Sequence, residues 1–241
     1  ELFELIQIGK KQSLIPASYL NIALGPLVQT WRIGFSDARI PNNAEVTHAL
    51  SLTDPQLIEL DPLSCTVFLA KEGMKLDLGC LAKGYIADKI ADYLKSQHVM
   101  SALINLGGNI KTIGANVLAN RPWQIGIQDP RQPRGTNLAV LPICNQSVVT
   151  SGTYERKLQV NEHTYHHILD RKTGYPVDTQ LASITIISDN SLDGEIWTTR
   201  LYGEKPRQLL ARVEQEKDIE ALIVTTDNRV YYSSGISPEF L

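Results

Sequence analysis

Residues 76–85, Leu76-Asp-Leu-Gly-Cys-Leu-Ala-Lys-Gly-Tyr85, form the stretch that most constrains the fold. A strand-like entry at 74–78 meets a glycine turn, and the following pattern predicts a helix over 82–95. Its apolar face is predicted to consist of Ile86, Ile90 and Leu94. Glycines allow close backbone approach, the amides of a helix start attract anions, and Asp77 and Lys83 could bind a phosphorylated ligand. An ordinary strand-to-helix turn explains this stretch equally well.

The composition indicates a globular protein that is not built to bind nucleic acid. Of the 241 residues 43% are hydrophobic and 20% are charged, and the net charge is -3. A nucleic-acid platform would be basic, so no nucleic-acid partner is expected. No apolar run reaches membrane-spanning length, and the start shows no signal peptide. Cys65, Cys80 and Cys144 show neither zinc nor disulfide spacing and are expected to be buried, small apolar side chains.

The alternation of helical and strand-like segments predicts an α+β fold with mixed or antiparallel sheets flanked by helices. Predicted helices cover 1–12, 16–28, 43–50 (with Asn43 as its cap), 82–95, 192–201 and 207–216. Predicted strands cover 56–60, 66–70, 74–78, 102–105, 110–115, 123–127, 138–142, 147–150, 156–160, 164–169, 181–188, 221–226 and 229–233. No repeat or linker divides the chain, and a single domain over 1–241 is expected.

Three further polar stretches are candidates for chemistry. Asn105-Leu-Gly-Gly-Asn109 is a second glycine turn whose amides and Asn side chains could bind a ligand or form a plain β-turn. The loop 150–156 offers hydroxyls and amides. His166 and His167 are adjacent on a predicted strand and point to opposite faces, so at most one faces a site. Either is a natural general base near neutral pH, although a lone His is more often structural.

Glu195 and Thr199 lie four residues apart in a predicted helix, hence on one face. A carboxylate and a hydroxyl at this spacing suit Mg²⁺, which prefers oxygen ligands. Asp193 could instead be the N-cap of this helix. Helices also carry Glu and Thr at this spacing with no ligand.

Taken together, these stretches resemble the FAD:protein FMN transferase family, the ApbE-type flavin transferases. The matching pieces occur in the family's order and cover nearly the whole chain. They are Gly25-Pro-Leu-Val28 with Trp31, Asp77–Gly84, Asn105–Asn109, Trp123–Pro130, Thr150–Arg156, His166–Asp170 with Thr173–Pro176, and the helix 195–203.

The resemblance implies an ApbE-like (T-fold-like) architecture and a Mg²⁺-dependent reaction, with other divalent cations as alternatives. FAD is the substrate, and its FMN half moves to a Thr or Ser hydroxyl of an acceptor flavoprotein, releasing AMP. The contacts implied for FAD are Asn21, Asp77, Lys83, Gly108, His167 and Ile168. The metal ligands implied are the carbonyl of Cys80 (with that of Ala82 as runner-up) and the side chains of Glu195 and Thr199.

His167 is the base implied by the resemblance, with His166 as the alternative because strand register cannot be fixed from sequence. Two departures from the family pattern concern the metal. Cys80 stands where Gly, Ala or Thr is usual, which a backbone ligand tolerates. Glu195 stands where Asp is usual. The competing alignment on Asp193 would place Trp197 at the Thr position.

Three other functions would keep the same residues: a Mg²⁺-dependent FAD pyrophosphatase, a non-catalytic FAD-binding protein, and a non-enzymatic assembly factor. Family members usually carry an N-terminal segment with an aromatic that stacks on the flavin, so this chain is expected to be N-terminally incomplete and to retain FAD weakly. The family is commonly exported, often as a lipoprotein. An extracytoplasmic location is therefore expected, with membrane association only through an anchor ahead of Glu1.

Overall fold

The computed structural model describes residues 1–161 and 163–241. Its α-helices are α1 (Leu2–Ser13), α2 (Gly25–Trp31), α3 (Asn43–Leu50), α4 (Ala82–Ser96), α5 (Ser191–Arg200) and α6 (Pro206–Val213). Its strands are β1 (Ile58–Asp61), β2 (Thr66–Leu69), β3 (Ala102–Leu106), β4 (Asn109–Ile113), β5 (Trp123–Gln128), β6 (Asn137–Ile143), β7 (Ser147–Gly152), β8 (Lys157–Val160), β9 (His163–His166), β10 (Leu181–Ser188), β11 (Ile219–Thr225), β12 (Val230–Tyr232) and β13 (Glu239–Phe240). A 3₁₀ turn covers Pro55–Leu57.

The α+β prediction is confirmed, and the strands of the described residues pair antiparallel. The described chain divides into two compact units. The first unit comprises Glu1–Leu81, Thr153–Thr179 and Thr199–Gly203, and the second comprises Ala82–Gly152, Gln180–Thr198 and Glu204–Leu241. A single domain over 1–241 stays a prediction. Within the described residues, no helix combines the length and apolar character that crossing a membrane requires.

The first unit is built around Trp31, which is 1% exposed. Its indole Nε1 donates to the carbonyl of Gly174 at 2.8 Å, and its ring lies 5.7 Å from that of Tyr165 and 5.5 Å from that of Tyr175. Burying an indole requires a partner for its N–H, and Gly174 supplies it. The apolar residues packed here are Leu27, Trp31, Ile33, Val46, Ala49 and Leu169.

The second unit is built on a six-stranded sheet of order β12-β11-β10-β7-β4-β3 and a three-stranded sheet of order β13-β6-β5. The face of the large sheet that packs against β5 and β6 contributes Val148, Ile187, Leu222 and Val224. Ile104 and Ile113 lie on β3 and β4 and pack against Ala87 and Ala91 of α4. Strand residues alternate between faces, so Asn109, Lys111 and Ile113 of β4 all point to the side that α4 covers.

The helix predicted over 16–28 is wrong in its first part, because α2 begins only at Gly25. Ala17 has φ of 58°, which breaks a right-handed helix. The Arg171 guanidinium donates to the carbonyls of Ser13 at 2.6 Å and of Ser18 and Leu20 at 3.4 Å. A long-range side chain therefore replaces the helical hydrogen bonds of this segment.

The strand predicted over 74–78 is not formed. The segment runs outside the strand ladders of the described residues, and the Asp77 amide donates to the Ile22 carbonyl at 2.8 Å. Helix α3 begins as predicted, but its cap is Asn42 rather than Asn43. The Asn42 side chain accepts from the Glu45 amide at 2.9 Å, and the Asn42 amide donates to the Glu45 carboxylate at 2.8 Å. This reciprocal pair is a capping box.

The predicted apolar face of α4 is confirmed at Ile90 and Leu94, which are half-buried and pack against the cluster that contains Ile104 and Ile113. It is wrong at Ile86, which is 49% exposed. The buried residues of α4 are Gly84, Tyr85, Ala87 and Ala91. Small residues allow this helix to pack closely, which apolar spacing alone does not reveal. The three cysteines are not buried either: Cys65 and Cys144 are exposed and Cys80 is half-buried.

Candidate active site

A buried carboxylate on α5 is the centre of the candidate site in the second unit. The Glu195 side chain is 5% exposed, and its Oε1 accepts from Asn109 Nδ2 at 2.7 Å. The Lys83 Nζ lies 3.4 Å from the same oxygen and donates to Asn109 Oδ1 at 3.1 Å. The three side chains form a closed polar triangle, in which Lys83 is 46% exposed and so is open to a ligand on its solvent side.

Each member of the triangle comes from a different element. Lys83 lies in the first turn of α4, Asn109 is the first residue of β4, and Glu195 lies in the second turn of α5. Gly84 allows these elements to meet. A Cβ at this position would lie 2.5 Å from the Ser191 carbonyl oxygen and 2.8 Å from Glu195 Cγ. The glycine is therefore needed for close approach of α5 to α4.

The electrostatics of Glu195 combine burial with positive charge. Burial raises the pKa of the Glu195 carboxyl, while the Lys83 charge and hydrogen bonds from Asn109, Lys83 and the Gly84 amide oppose this rise. A carboxylate removed from water needs compensating charge or donors. Because burial disfavours the charged form, additional positive charge beside the Glu195 carboxylate would favour its ionised form.

The donor set fits a hard divalent cation in chemical type. Glu195 offers a carboxylate and Thr199, one helical turn further along α5, offers a hydroxyl. No three His, Cys, Asp or Glu side chains of the described residues cluster as metal ligands. The ligand set implied by the resemblance contains only one such side chain, because a backbone carbonyl and a threonine supply the other two of its three donors. The roles of Cys80, Glu195 and Thr199 as ligands stay predictions.

Asp193, the competing candidate, lies within the first turn of α5 rather than at its cap, since the helix begins at Ser191. Its Oδ2 accepts from Asn190 Nδ2 at 3.1 Å. The interpretation of Asp193 as an N-cap is therefore wrong. Its neighbour in the chain, Gly194, is buried against Val149, which a Cβ on that glycine would approach within 2.6 Å.

In the first unit, Asp77 shapes the turn that contains Cys80. The Asp77 Oδ1 accepts from the Gly79 amide at 2.8 Å, which is an Asx-turn. Asp77 and Cys80 are both half-buried. Asp77 thus has a local structural task, and its contact with FAD stays a prediction.

Gly108 lies at the exposed tip of the β3–β4 hairpin with φ of 101°. Its amide donates to Asn105 Oδ1 at 2.9 Å. A Cβ at Gly107 or Gly108 would meet nothing within 4 Å, so this turn needs glycine for its backbone angles and not for space. The exposed backbone is compatible with ligand approach.

Two other residues expected to bind FAD are held by the backbone of the first unit. Asn21 is 5% exposed; its Nδ2 donates to the Thr53 carbonyl at 2.8 Å and its Oδ1 accepts from the Ala23 amide at 2.9 Å. The half-buried Ile168 has its carbonyl bonded by the Val177 amide at 2.9 Å. Both residues organise loops, and their contacts with FAD stay predictions.

The two histidines have separate environments, but only His166 lies in a strand, because β9 ends at this residue. The prediction that both are adjacent on one strand is therefore wrong. His166 is 9% exposed, with Nε2 2.9 Å from the Val177 carbonyl and Nδ1 accepting from the Ile168 amide at 3.3 Å. A carbonyl only accepts, so His166 Nε2 carries the proton and both ring nitrogens serve the fold. Burial lowers the pKa of His166, opposed by the hydrogen bond to Val177.

His167 is half-buried, and its Nδ1 lies 3.3 Å from the Arg156 carbonyl. By the same reasoning Nδ1 carries the proton. Both ring nitrogens of His166 are bonded to the backbone, which disfavours His166 as the base. The assignment of His167 to that role stays a prediction.

Sequence reasoning missed one member of the site in the second unit. Asn109 belonged to a quoted glycine turn but was not named as a site residue, although it bonds both Lys83 and Glu195. Gly84 was expected to allow close backbone approach, and it does so, but the sequence did not show that α5 is the element that approaches. The available signals were a polar residue at the start of a predicted strand, Asn109, and a glycine near the start of a predicted helix, Gly84. Only the fold brings these two positions together.

Comparison with known proteins identifies the family of this chain. The family model described as the ApbE family matches residues 1–223. A relative from Klebsiella pneumoniae (strain 342), named FAD:protein FMN transferase, is 47% identical over 233 residues, covering 97% of this chain and 72% of the relative. A Treponema pallidum (strain Nichols) protein of the same name is 36% identical over 228 residues, covering 90% of this chain and 63% of that protein.

Solved structures of ApbE proteins have the same fold as this chain. The ApbE protein of Thermotoga maritima superposes with a TM-score of 0.87 at 27% identity, covering 97% of this chain and 76% of that one. The apo flavinyl transferase ApbE of Pseudomonas stutzeri gives 0.80 at 27% identity, covering 97% and 72%. The fold and the ordered motifs define a flavin transferase architecture. This chain belongs to the ApbE family.

Proposed function

We propose that this protein transfers FMN from FAD to a hydroxyl group of an acceptor protein and depends on a divalent cation, Mg²⁺ in the first instance. The observation that carries the proposal is the buried Glu195 carboxylate, held by Lys83 and Asn109, in a chain 47% identical to a relative named FAD:protein FMN transferase. That relative's name supports the transfer itself. The cation and the individual roles rest on the chemistry of the residues.

The reaction balances without an internal nucleophile. The acceptor Thr or Ser oxygen forms a bond to the FMN phosphorus, the bond between that phosphorus and the bridging oxygen breaks, and AMP leaves with the bridging oxygen. The hydroxyl proton passes to a base, for which His167 is proposed. A bound divalent cation would offset the pyrophosphate charge and stabilise the charge that develops during transfer.

The remaining roles follow from charge and backbone geometry. Lys83, half-exposed above the Glu195 carboxylate, would pair with a phosphate oxygen of FAD. The exposed turn at Gly108 would approach the ligand with its backbone. Glu195, Thr199 and the Cys80 carbonyl would hold the cation. Asn21, Asp77 and Ile168 would support the flavin nucleotide from their loops.

A mass measurement tests the proposal. The protein is incubated with FAD, MgCl₂ and a candidate acceptor domain, and the acceptor is then weighed. A gain of one FMN, accompanied by AMP and abolished when the acceptor Thr is replaced by Val, supports transfer. Free FMN and AMP without an adduct would identify a pyrophosphatase instead, and unchanged FAD would identify a binding protein.

The location of the protein is a separate proposal. An extracytoplasmic site of action is proposed on the family resemblance alone. Fractionation of cells that express the full-length protein tests it. Recovery of the protein in the cytoplasmic fraction would contradict it.

A further inference from the structure

The first turn of α5 is capped by a side chain from another helix. Asp88 of α4 accepts the Ser191 amide at Oδ1 and the Leu192 amide at Oδ2, each at 2.8 Å. The first amides of a helix have no partner within the helix, and the positive end of its dipole favours a carboxylate. Asp88 thus supplies both hydrogen bonds and the charge that this helix start needs.

A second buried charge holds the residue that precedes this turn. Lys111 of β4 is 4% exposed, and its Nζ donates to the Asp189 carbonyl. Burial lowers the pKa of Lys111, and the Asp88 charge opposes this change. The Ser188 hydroxyl donates to the Asn190 carbonyl at 2.7 Å. The β10–α5 turn at 188–192 is therefore fastened by side chains from α4, β4 and β10.

The same two elements also hold the Glu195 side chain. Helix α4 carries Lys83 and Asp88, and β4 carries Asn109 and Lys111, two residues apart and on one face of the strand. Each element thus contributes one residue that touches Glu195 and one that fastens the start of the helix bearing it. This pairing is more than a helix cap requires.

We propose that Asp88 and Lys111 are positioning residues that fix the start of α5 and thereby hold the Glu195 carboxylate against Lys83 and Asn109. Movement of α5 toward α4 is blocked at Gly84, where the Ser191 carbonyl is already in contact. Movement away would break the two Asp88 bonds. Glu195 lies four residues beyond Ser191, about 6 Å along the helix axis, so displacement of the turn is carried to the carboxylate.

The test uses the isosteric variant Asp88→Asn, the variant Lys111→Met and the control Asn42→Ala. Asn42→Ala removes the cap of α3 and so imposes a comparable loss of stability without touching α5. Hydrogen exchange across 189–195 reports on the turn. The side-chain amide resonance of Asn109 reports on Glu195, and neither readout needs metal, FAD or activity.

Asp88→Asn and Lys111→Met are expected to speed exchange at Ser191 and Leu192 by about tenfold or more and to shift the Asn109 side-chain resonance. The double variant should change less than the sum of the two, because both side chains hold one turn. Asn42→Ala should alter neither readout. An unchanged Asn109 resonance in both variants, whether or not exchange increases, would overturn the positioning role.

The consequence for metal binding rests on the proposed function. It is measured separately as the affinity for Mn²⁺ in the presence of FAD. Loss of a residue that orients a metal ligand typically weakens binding about 10- to 100-fold, and both variants are expected to fall in that range. If the Asn109 resonance shifts but Glu195→Gln leaves Mn²⁺ binding unchanged, the positioning role stands. The metal role of Glu195 in the proposed function then fails alone.

Discussion

At the scale of single residues, burial decides the chemical character of Glu195. A carboxylate with 5% of its side chain exposed is destabilised in its charged form, which raises its pKa, and here Lys83 and Asn109 oppose that effect. Further positive charge beside the Glu195 carboxylate would therefore stabilise its ionised form. This balance, together with the i, i+4 spacing with Thr199, distinguishes Glu195 from Asp193 on the same helix.

His166 provides a pH test. Burial lowers its pKa from the ordinary value of 6.5, so between that value and the folded pKa only the unfolded chain binds the proton. The free energy of unfolding should therefore decrease as pH falls through this window, by at most about 1.4 kcal/mol per pH unit for one proton. Urea unfolding from about one pH unit above the ordinary value to about 1.5 units below it measures this decrease.

His166→Gln keeps a donor for the Val177 carbonyl and cannot be protonated, so the pH slope should become shallower. Leu118→Ala, at a position that is 98% exposed and carries no titratable group, is the control and should leave the slope as it is. An equal slope in wild type and His166→Gln would show that His166 is not held neutral by the fold.

Cys80 provides a second residue-level test. The resemblance assigns it a carbonyl ligand, so its thiol should be dispensable. Cys80→Ala is expected to keep the rate of FMN transfer within about twofold of wild type, because a backbone donor does not change with the side chain. A loss above about tenfold, with unchanged thermal stability, would show that the thiol itself takes part.

At the scale of elements, close contact between α4 and α5 matters more than apolar patterning. The periodicity predicted the extent of α4 and the inward side of Ile90 and Leu94. Three of its four buried residues are small (Gly84, Ala87 and Ala91), whereas Ile86 is exposed. Small residues give a weak hydrophobic signal. The contact face of this helix could therefore be predicted only in part from the sequence.

Gly84→Ala tests this contact. The added Cβ would meet the Ser191 carbonyl at 2.5 Å, and backbone cannot yield as a flexible side chain does. The variant should lose about 1–3 kcal/mol of unfolding free energy, despite the better helix propensity of Ala, and should lose FMN transfer as well. Ile86→Ala on the exposed side of α4 is the control and should cost well under that amount. Gly84→Ala with wild-type stability and activity would refute the contact.

Elements governed by local signals were predicted, and those governed by distant partners were not. Strand β10 was predicted from a β-branched run, and helix α3 from an Asn cap that was placed one residue too late, at Asn43. Both signals lie within a few residues of the element. Segment 16–24 depends on Arg171, more than 140 residues away in the chain. The strand expected at 74–78 failed because a strand also needs a partner ladder, which apolar content does not supply.

At the scale of the whole molecule, the ordered series of motifs carried the family assignment, while each motif alone was ambiguous. The polar triangle of Lys83, Asn109 and Glu195 could not be predicted in full, because it joins residues up to 112 positions apart. Asn109 is the clearest case. Its neighbours in sequence suggested a turn, and its function as a bridge depends on how α4 and α5 cover the sheet.

The core of the second unit gives a stability prediction. Ile187 lies on β10, is 2% exposed and packs with residues of β5, β6, β7 and β11. Ile187→Ala should cost about 2–5 kcal/mol of unfolding free energy, because it removes buried methylenes and leaves a cavity. Leu118→Ala, at a position that is 98% exposed, should cost almost nothing. Denaturant unfolding of the two variants measures both free-energy losses. Similar losses for Ile187→Ala and Leu118→Ala would contradict the assignment of Ile187 to the core.

The central claim is that Glu195, not Asp193, makes this chain a cation-dependent flavin transferase. The most direct test is the initial rate of FMN attachment to an acceptor, with FAD and MgCl₂, for wild type, Glu195→Gln and Asp193→Asn. Glu195→Gln preserves shape and should reduce the rate by about a hundredfold or more, as when a transition-state contact is lost. Asp193→Asn should remain close to wild type. Retained activity in Glu195→Gln together with its loss in Asp193→Asn would contradict the account.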